Sequence, residues 1–168
     1  MPTRQRTVLL VLFACYLLAL LFLLILPNAD RGQNVMVGGL TWDRWTAYVA
    51  NGWNLVPLWS IADQIGAILA GDGAARDGAY LVGNLVGFAP LGYFLPALFV
   101  RQRQFTVFVG TVVAALFCLE LAQLLTMRGS FDIDDVLLNA VGAGAGFWLT
   151  RRMWPDGDVA GEGGPSPR

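Results

Sequence analysis

Long apolar runs dominate the hydrophobic pattern of the chain. Residues 8–26, 79–100 and 105–125 contain almost no charged side chains, and each run approaches or exceeds the roughly 20 residues that a helix needs to cross about 30 Å of hydrocarbon. A shorter apolar run covers residues 133–150. The pattern predicts an all-α polytopic membrane protein with four transmembrane helices.

The segment between the first two runs is semi-polar and rich in aromatic residues, which is typical of chain lying at a membrane–water interface. Residues 41–50 and 61–70 are amphipathic at helical spacing, and Ser60 is a candidate N-cap for the second of them. Asn54 and Pro57 lie in the connector between the two. We therefore expect an aromatic-rich outer loop that carries interfacial helices. Its aromatic residues are Trp42, Trp45, Tyr48, Trp53 and Trp59.

The composition supports membrane insertion and excludes several classes of function. The 168 residues are 56% hydrophobic and only 14% charged, which is too apolar for a soluble domain of this size. The net charge is −1 and no basic run occurs, so a nucleic-acid partner is not expected. The chain has no histidine, which excludes histidine general-base chemistry and histidine metal ligation.

Arginine placement predicts the orientation in the membrane. Four spans would place all the arginines that flank span ends on one side, and the positive-inside rule makes that side cytoplasmic. Both termini are then cytoplasmic. Residues 1–154 form the predicted transmembrane domain, and residues 155–168, rich in Gly, Pro and Asp, are expected to be a disordered tail. The flanking arginines are Arg4, Arg6, Arg101, Arg103, Arg151 and Arg152.

Eight polar side chains fall near the outer ends of the last three predicted spans and in the short connector between the last two. Ionisable groups at membrane depth are costly unless they pair or line a polar cavity, so together they predict a ligand-binding site in the outer leaflet. The structural alternative is that Arg128 neutralises Glu120 or an aspartate, while Asp132 or Asp134 caps the fourth helix. The eight are Asn84, Glu120, Gln123, Arg128, Asp132, Asp134, Asp135 and Asn139.

Glycines in the fourth run favour close helix packing. Gly142, Gly144 and Gly146 alternate with small residues, and no strand precedes them that would suggest a dinucleotide-binding fingerprint.

Three motifs make the chain resemble the VanZ-like family of small bacterial integral membrane proteins, which is named for a protein linked to resistance to the glycopeptide teicoplanin. The resemblance covers roughly residues 55–150. It implies a location in the bacterial cytoplasmic (inner) membrane, and it implies glycopeptide resistance for some members only. Leu58 stands where a phenylalanine is expected. The motifs are Asn54-Leu-Val-Pro57-Leu, Asn84-Leu-Val-Gly-Phe-Ala-Pro90-Leu-Gly92, and Glu120-x-x-Gln123 followed by Arg128, Asp132, Asp134-Asp135-Val136 and Asn139-x-x-Gly142.

The polar residues are compatible with two classes of function. Arg128 suits a phosphate or carboxylate, and the carboxylates suit a hard cation, a sugar or an amine. The first hypothesis is recognition or modulation of an envelope amphiphile, either a lipid-linked cell-wall intermediate or a lipoglycopeptide, beneath the aromatic loop. The alternative is a membrane-embedded hydrolase or transferase acting on a lipid or envelope substrate, with Glu120 or Asp135 as general base. No cofactor or metal site is predicted, although a divalent cation at the carboxylates stays open.

Overall fold

The described part of the chain is almost entirely helical. The computed structural model describes residues 3–25, 41–71 and 74–153. The predicted disordered tail, residues 155–168, lies outside the described residues, and so does Leu26, the predicted end of the first span. Six α-helices form within the described ranges: α1 Thr3–Ile25, α2 Trp42–Asn51, α3 Trp59–Ala70, α4 Ala74–Leu98, α5 Phe105–Leu125 and α6 Ile133–Met153. Two short strands, β1 Trp53–Asn54 and β2 Phe131–Asp132, and one 3₁₀ turn, Val100–Arg103, complete this part of the chain.

Within the described residues, three helices are long and apolar enough to cross a membrane, namely α1, α4 and α5. Helix α5 has the predicted bounds, whereas α4 begins five residues before the predicted residue 79 because its polar first turn, with Arg76 and Asp77, is also helical. Helix α6 begins at the predicted residue 133 and continues to Met153. It is less apolar than the other three because it carries two aspartates in its first turn, Asn139 and several glycines. The fourth span therefore stays a prediction.

Helices α4 and α6 run parallel and touch backbone to backbone. A Cβ atom added to Gly142 would lie 2.9 Å from the carbonyl carbon of Leu85, and one added to Gly146 would lie 2.9 Å from that of Ala89. Gly92 on α4 is equally close to α6. A Cβ at Gly144, by contrast, would meet nothing within 4 Å. The close packing expected from the glycines of α6 is thus made by Gly142 and Gly146.

Helix α5 closes the core with a stripe of side chains at a spacing of four residues. Phe108, Val112, Leu116 and Leu124 are buried along this stripe, and Glu120 is buried among them. The Phe108 ring stacks on Phe147 of α6 with centroids 4.5 Å apart. The stripe therefore fixes the depth of Glu120 relative to α6.

Helix α1 lies against α4 on the outside of this core. The Tyr16 hydroxyl donates a hydrogen bond of 2.9 Å to the carbonyl of Gly87, and the Phe13 and Phe94 rings pack with centroids 5.4 Å apart.

We call the segment that contains α2, β1 and α3 the outer loop, after its predicted side of the membrane. It is anchored to the connector between α5 and α6. Met127 adopts a left-handed conformation with φ of 57°, and the Arg128 N–H bonds back to the Gln123 carbonyl at 2.9 Å, as in a Schellman helix end. The Trp45 indole N–H donates to the Leu125 carbonyl at 3.0 Å, and the Tyr48 hydroxyl donates to the Gly129 carbonyl at 3.0 Å. Helix α2 is thereby fixed over the end of α5.

Strands β1 and β2 extend this anchor. They pair in parallel, with Trp53 opposite Phe131 and Asn54 opposite Asp132. Helix α3 then begins at Trp59, two residues before the predicted start.

We expect Gly146→Ala to destabilise the protein, because the new methyl group would meet the Ala89 carbonyl and overpacking of this kind costs about 1–3 kcal/mol. Gly144→Ala is the matched control. It places its methyl group in open space, and alanine in a helix interior is favoured over glycine by about 0.5–1 kcal/mol. The measurement is the temperature at which heating removes half of the detergent-solubilised protein from its monodisperse peak in size-exclusion chromatography. Equal temperatures for the two variants would contradict the α4–α6 contact.

Candidate functional site

Asp132 joins the start of α6 to the outer loop. Its carboxylate accepts hydrogen bonds from the Ser60 hydroxyl at 2.6 Å and from the Asn54 side-chain amide at 3.2 Å. It also accepts the Asp134 backbone N–H at 2.9 Å, which makes Asp132 the N-cap of α6. This is the capping role that the structural alternative assigned to one of these two aspartates.

Asp134 is the cap of a different helix. Its side chain is 1% exposed and accepts the backbone N–H groups of Leu58 at 2.5 Å, Ser60 at 2.8 Å and Ile61 at 3.3 Å. These N–H groups lie at the N-terminus of α3, where they have no partner within the helix. A carboxylate also suits the positive end of the helix dipole. The prediction that Ser60 caps α3 with its side chain is therefore wrong. The N-cap position is Leu58, in a left-handed conformation and without a side-chain cap, and Asp134 supplies the capping oxygens instead.

A second group of polar residues lies where α4, α5 and α6 meet. We call Tyr80, Asn84, Glu120, Asp135 and Asn139 the three-helix cluster. Tyr80 and Asn84 bond to Asp135, Glu120 lies within electrostatic range of Asp135, and Asn139 follows Asp135 by one turn of α6. The Tyr80 hydroxyl donates to Asp135 at 2.5 Å, and the Asn84 amide donates to the other oxygen of the same carboxylate at 3.2 Å. Tyr80 was not predicted from the sequence. The available signal was its position one helical turn before Asn84, on the same face of α4.

Glu120 and Asn139 are the two buried members of the three-helix cluster that have few hydrogen bonds. Each is 3% exposed. Among the described residues, the Glu120 carboxyl accepts one hydrogen bond, from the Asp132 backbone N–H at 3.5 Å, which is long. The Asn139 Oδ1 atom is buried and has no hydrogen-bond partner in this part of the chain. Asp135 and Asp132 both lie within electrostatic range of Glu120, so the surroundings of this carboxyl are acidic.

The remaining predicted site residues lie at the connector and in the loop. Gln123 is half-buried at the end of α5, with its side chain against Gly129. Arg128 and Pro57 are exposed, and the Asn54 side-chain oxygen accepts the Val56 N–H at 3.3 Å. The eight polar residues, together with Asn54 and Pro57 of the loop, thus fall into three groups. Asn54, Asp132 and Asp134 anchor the loop, and Gln123, Arg128 and Pro57 lie at the connector or on the surface. The other four belong to the three-helix cluster, namely Asn84, Glu120, Asp135 and Asn139. Their part in ligand binding stays a prediction.

The acidic residues do not form a metal centre in the described ranges. Within residues 3–25, 41–71 and 74–153, no group of three or more cysteine, aspartate and glutamate side chains is placed to hold a metal ion. Asp132 and Asp134 already use their oxygens to cap helices and to hold the loop. What the three-helix cluster offers is a set of buried acceptors that a donor group can satisfy.

We expect Asp134→Asn to loosen the start of α3. The amide has one acceptor oxygen and no charge, so part of the capping of Leu58, Ser60 and Ile61 is lost, at a cost of about 1–3 kcal/mol for a donor left unpaired. Hydrogen–deuterium exchange of the peptide that spans these residues should become faster. Asp63→Asn is the control, because it makes the same change at an exposed position of α3. Unchanged exchange in Asp134→Asn would contradict the cap.

Comparison with protein families gives a match over most of the chain. The model of the family described as VanZ/LLP1 matches residues 13–154, which include α2 to α6 and most of α1. Neither the curated proteins nor the solved structures compared with the chain contain a match. The resemblance seen in the sequence motifs is confirmed, and the chain belongs to the VanZ/LLP1 family.

Proposed function

We propose that this protein binds the polar head of an envelope amphiphile in the outer leaflet, with the three-helix cluster as its binding site. The supporting observation is the pair of buried acceptors, the Glu120 carboxyl and the Asn139 Oδ1, which the described residues leave with one long hydrogen bond and none. Buried polar groups are normally satisfied, and the cost of leaving one unsatisfied rises in a medium of low dielectric. A polar head that enters between the helices would supply the missing donors.

We place this site in the outer leaflet by treating α6 as a fourth span. Helix α6 runs parallel to α4 and is in contact with it along its length from Asp135 to Thr150. In a four-span arrangement, the flanking arginines lie at the cytoplasmic end and the outer loop at the opposite end.

The position of the outer loop also supports the proposal, because this loop would cover a head bound at the site. It is anchored beside the three-helix cluster by Asp132 and Asp134, while Trp42 and Trp59 are mostly exposed. Exposed indole rings next to membrane helices suit the headgroup region. An amphiphile would keep its acyl chain in the bilayer and place its head under this loop.

The ligand classes that fit are a lipid-linked cell-wall intermediate and a lipoglycopeptide such as teicoplanin. Both join a polar head to a lipid tail, and family membership makes the drug a practical probe. Arg128, exposed on the connector, is suited to a phosphate or carboxylate of the same head.

A second candidate is a membrane hydrolase or transferase that uses Asp135 or Glu120 as general base. The observation in its favour is that Tyr80 and Asn84 each donate a hydrogen bond to a different oxygen of the Asp135 carboxylate, which fixes its position. A positioned carboxylate is what proton abstraction requires. Turnover of a lipid or envelope substrate by the purified protein, lost in Glu120→Gln or on adding a chelator, would favour the enzyme over the binding protein.

Reporter fusions test the four-span topology. Alkaline phosphatase, which is active only outside the cytoplasm, should be active when fused after Ser130 and inactive when fused after Arg103 or Met153. Green fluorescent protein should show the reverse pattern, because it fluoresces in the cytoplasm. Active phosphatase after Met153 would mean that α6 does not cross the membrane.

Drug susceptibility tests the binding function. A Gram-positive host that expresses the protein should resist teicoplanin but gain no resistance to a glycopeptide without a lipid chain. Glu120→Gln and Arg128→Ala should lose this protection at equal membrane levels, because each removes a predicted contact with the head. Arg101→Ala, which removes an exposed arginine at the opposite helix ends, should retain it.

Absence of protection with every form, at matched levels, would contradict a lipoglycopeptide as ligand. Loss of protection that follows loss of protein would instead mean that the altered residue is structural.

A further inference from the structure

The three-helix cluster is rich in buried acceptors that its own donors do not reach. The Tyr80 hydroxyl and the Asn84 amide both donate to Asp135. Glu120 receives one long hydrogen bond and the Asn139 Oδ1 receives none within the described residues. A ligand for this site must therefore bring donors.

Helix geometry places the Asn139 side chain one turn from Asp135, so both lie on one face of α6. That face is against α4, because Asp135 bonds to Asn84 and Gly142 abuts Leu85. Since Asn139 is 3% exposed and its Oδ1 is buried, we take this oxygen to be enclosed between the two helices, on the C-terminal side of Asp135.

The acidic surroundings of Glu120 decide which kind of donor group a ligand must bring. Glu120 lies within electrostatic range of Asp135 and Asp132, so an anionic group would be repelled from this position. A hydroxyl group could satisfy an acceptor but would bring no positive charge to the acidic surroundings formed by Glu120, Asp135 and Asp132. A primary ammonium group supplies one positive charge and three donors at a single atom. Buried charges are tolerated when they are paired and hydrogen-bonded.

We propose that the three-helix cluster binds a primary ammonium group on the head of the amphiphile, with Glu120 as its counter-ion and the Asn139 Oδ1 as a second acceptor. This inference rests on the proposed function and narrows it from polar heads in general to amine-bearing ones. The phosphate or carboxylate of the same head would then lie away from Glu120, toward the connector.

The test compares two lipids that differ only at the ammonium group. Phosphatidylethanolamine carries three N–H donors on its head, and phosphatidylcholine with the same acyl chains carries none. The full chain is placed in nanodiscs that contain equal amounts of both lipids, and a second preparation also contains phosphatidylglycerol. The lipids that remain bound after release from the nanodiscs are counted by native mass spectrometry.

The wild-type protein should retain phosphatidylethanolamine over phosphatidylcholine by about tenfold, which corresponds to about 1.4 kcal/mol. Glu120→Gln and Asn139→Ala should each lose most of this preference. Asp63→Asn, which removes an exposed acid from α3, should keep it. The comparison of lipids on the wild-type protein stands even if one variant fails to fold.

Equal retention of the two lipids by the wild-type protein would overturn the proposal, as would preferred retention of phosphatidylglycerol. An undiminished preference in Glu120→Gln would also overturn it, because the ammonium group would then be bound elsewhere. Equal retention together with teicoplanin protection that depends on Glu120 would reject the ammonium group and leave the proposed function standing. An ammonium preference without any protection would support the ammonium site and reject the lipoglycopeptide.

Discussion

The contact between the backbones of α4 and α6 is the constraint on which the site depends. Gly142 and Gly146 allow these parallel helices to approach until only backbone separates them, and this contact fixes their register. The register brings Asp135 opposite Tyr80 and Asn84. In a membrane, where apolar side chains gain little by leaving lipid, close packing of small residues and hydrogen bonds between helices are the available stabilising interactions. The two contacts follow one another along α6, with the polar contact near its N-terminus and the glycine contact after it.

The aspartates at the start of α6 show how neighbouring residues acquire different roles. In Asp132-Ile-Asp134-Asp135, the first carboxylate caps its own helix, the second caps α3, and the third faces α4. The run spans the change from strand β2 to helix, which occurs at Ile133. The carboxylates of the first two aspartates stabilise the loop by accepting hydrogen bonds from the protein itself. In this they differ from Glu120 and Asn139, whose side-chain acceptors have one long hydrogen bond and none within the described residues.

Hydrophobic periodicity predicted much of the fold, because helix length in a membrane follows directly from apolar length. The apolar runs predicted the bounds of α5 and the start of α6 correctly. They placed the start of α4 too late, because this helix begins in polar residues that precede the apolar run. That Asn84, Glu120 and Asp135 lie on helices that meet in the fold is shown by the structure, whereas their depth in the outer leaflet stays a prediction. The cap that Asp134 provides to α3 was not predictable, because its partners lie more than 70 residues earlier in the chain and no local pattern relates them. Tyr80 was missed for a similar reason, since its position one turn before Asn84 was visible but its partner Asp135 lies 55 residues later in the chain.

This division of roles bears on how loss of function in the protein should be interpreted. A change at Asp132 or Asp134 removes hydrogen bonds that hold the loop over the helix ends, so it would impair any ligand site beneath that loop without touching the ligand. Glu120 differs because its carboxyl accepts one long hydrogen bond from the described residues, so replacing it with the isosteric glutamine removes charge with little loss of internal bonding. Loss of function through Glu120 with the loop intact therefore argues for contact with the ligand. Loss of function through Asp134 argues only for an ordered loop.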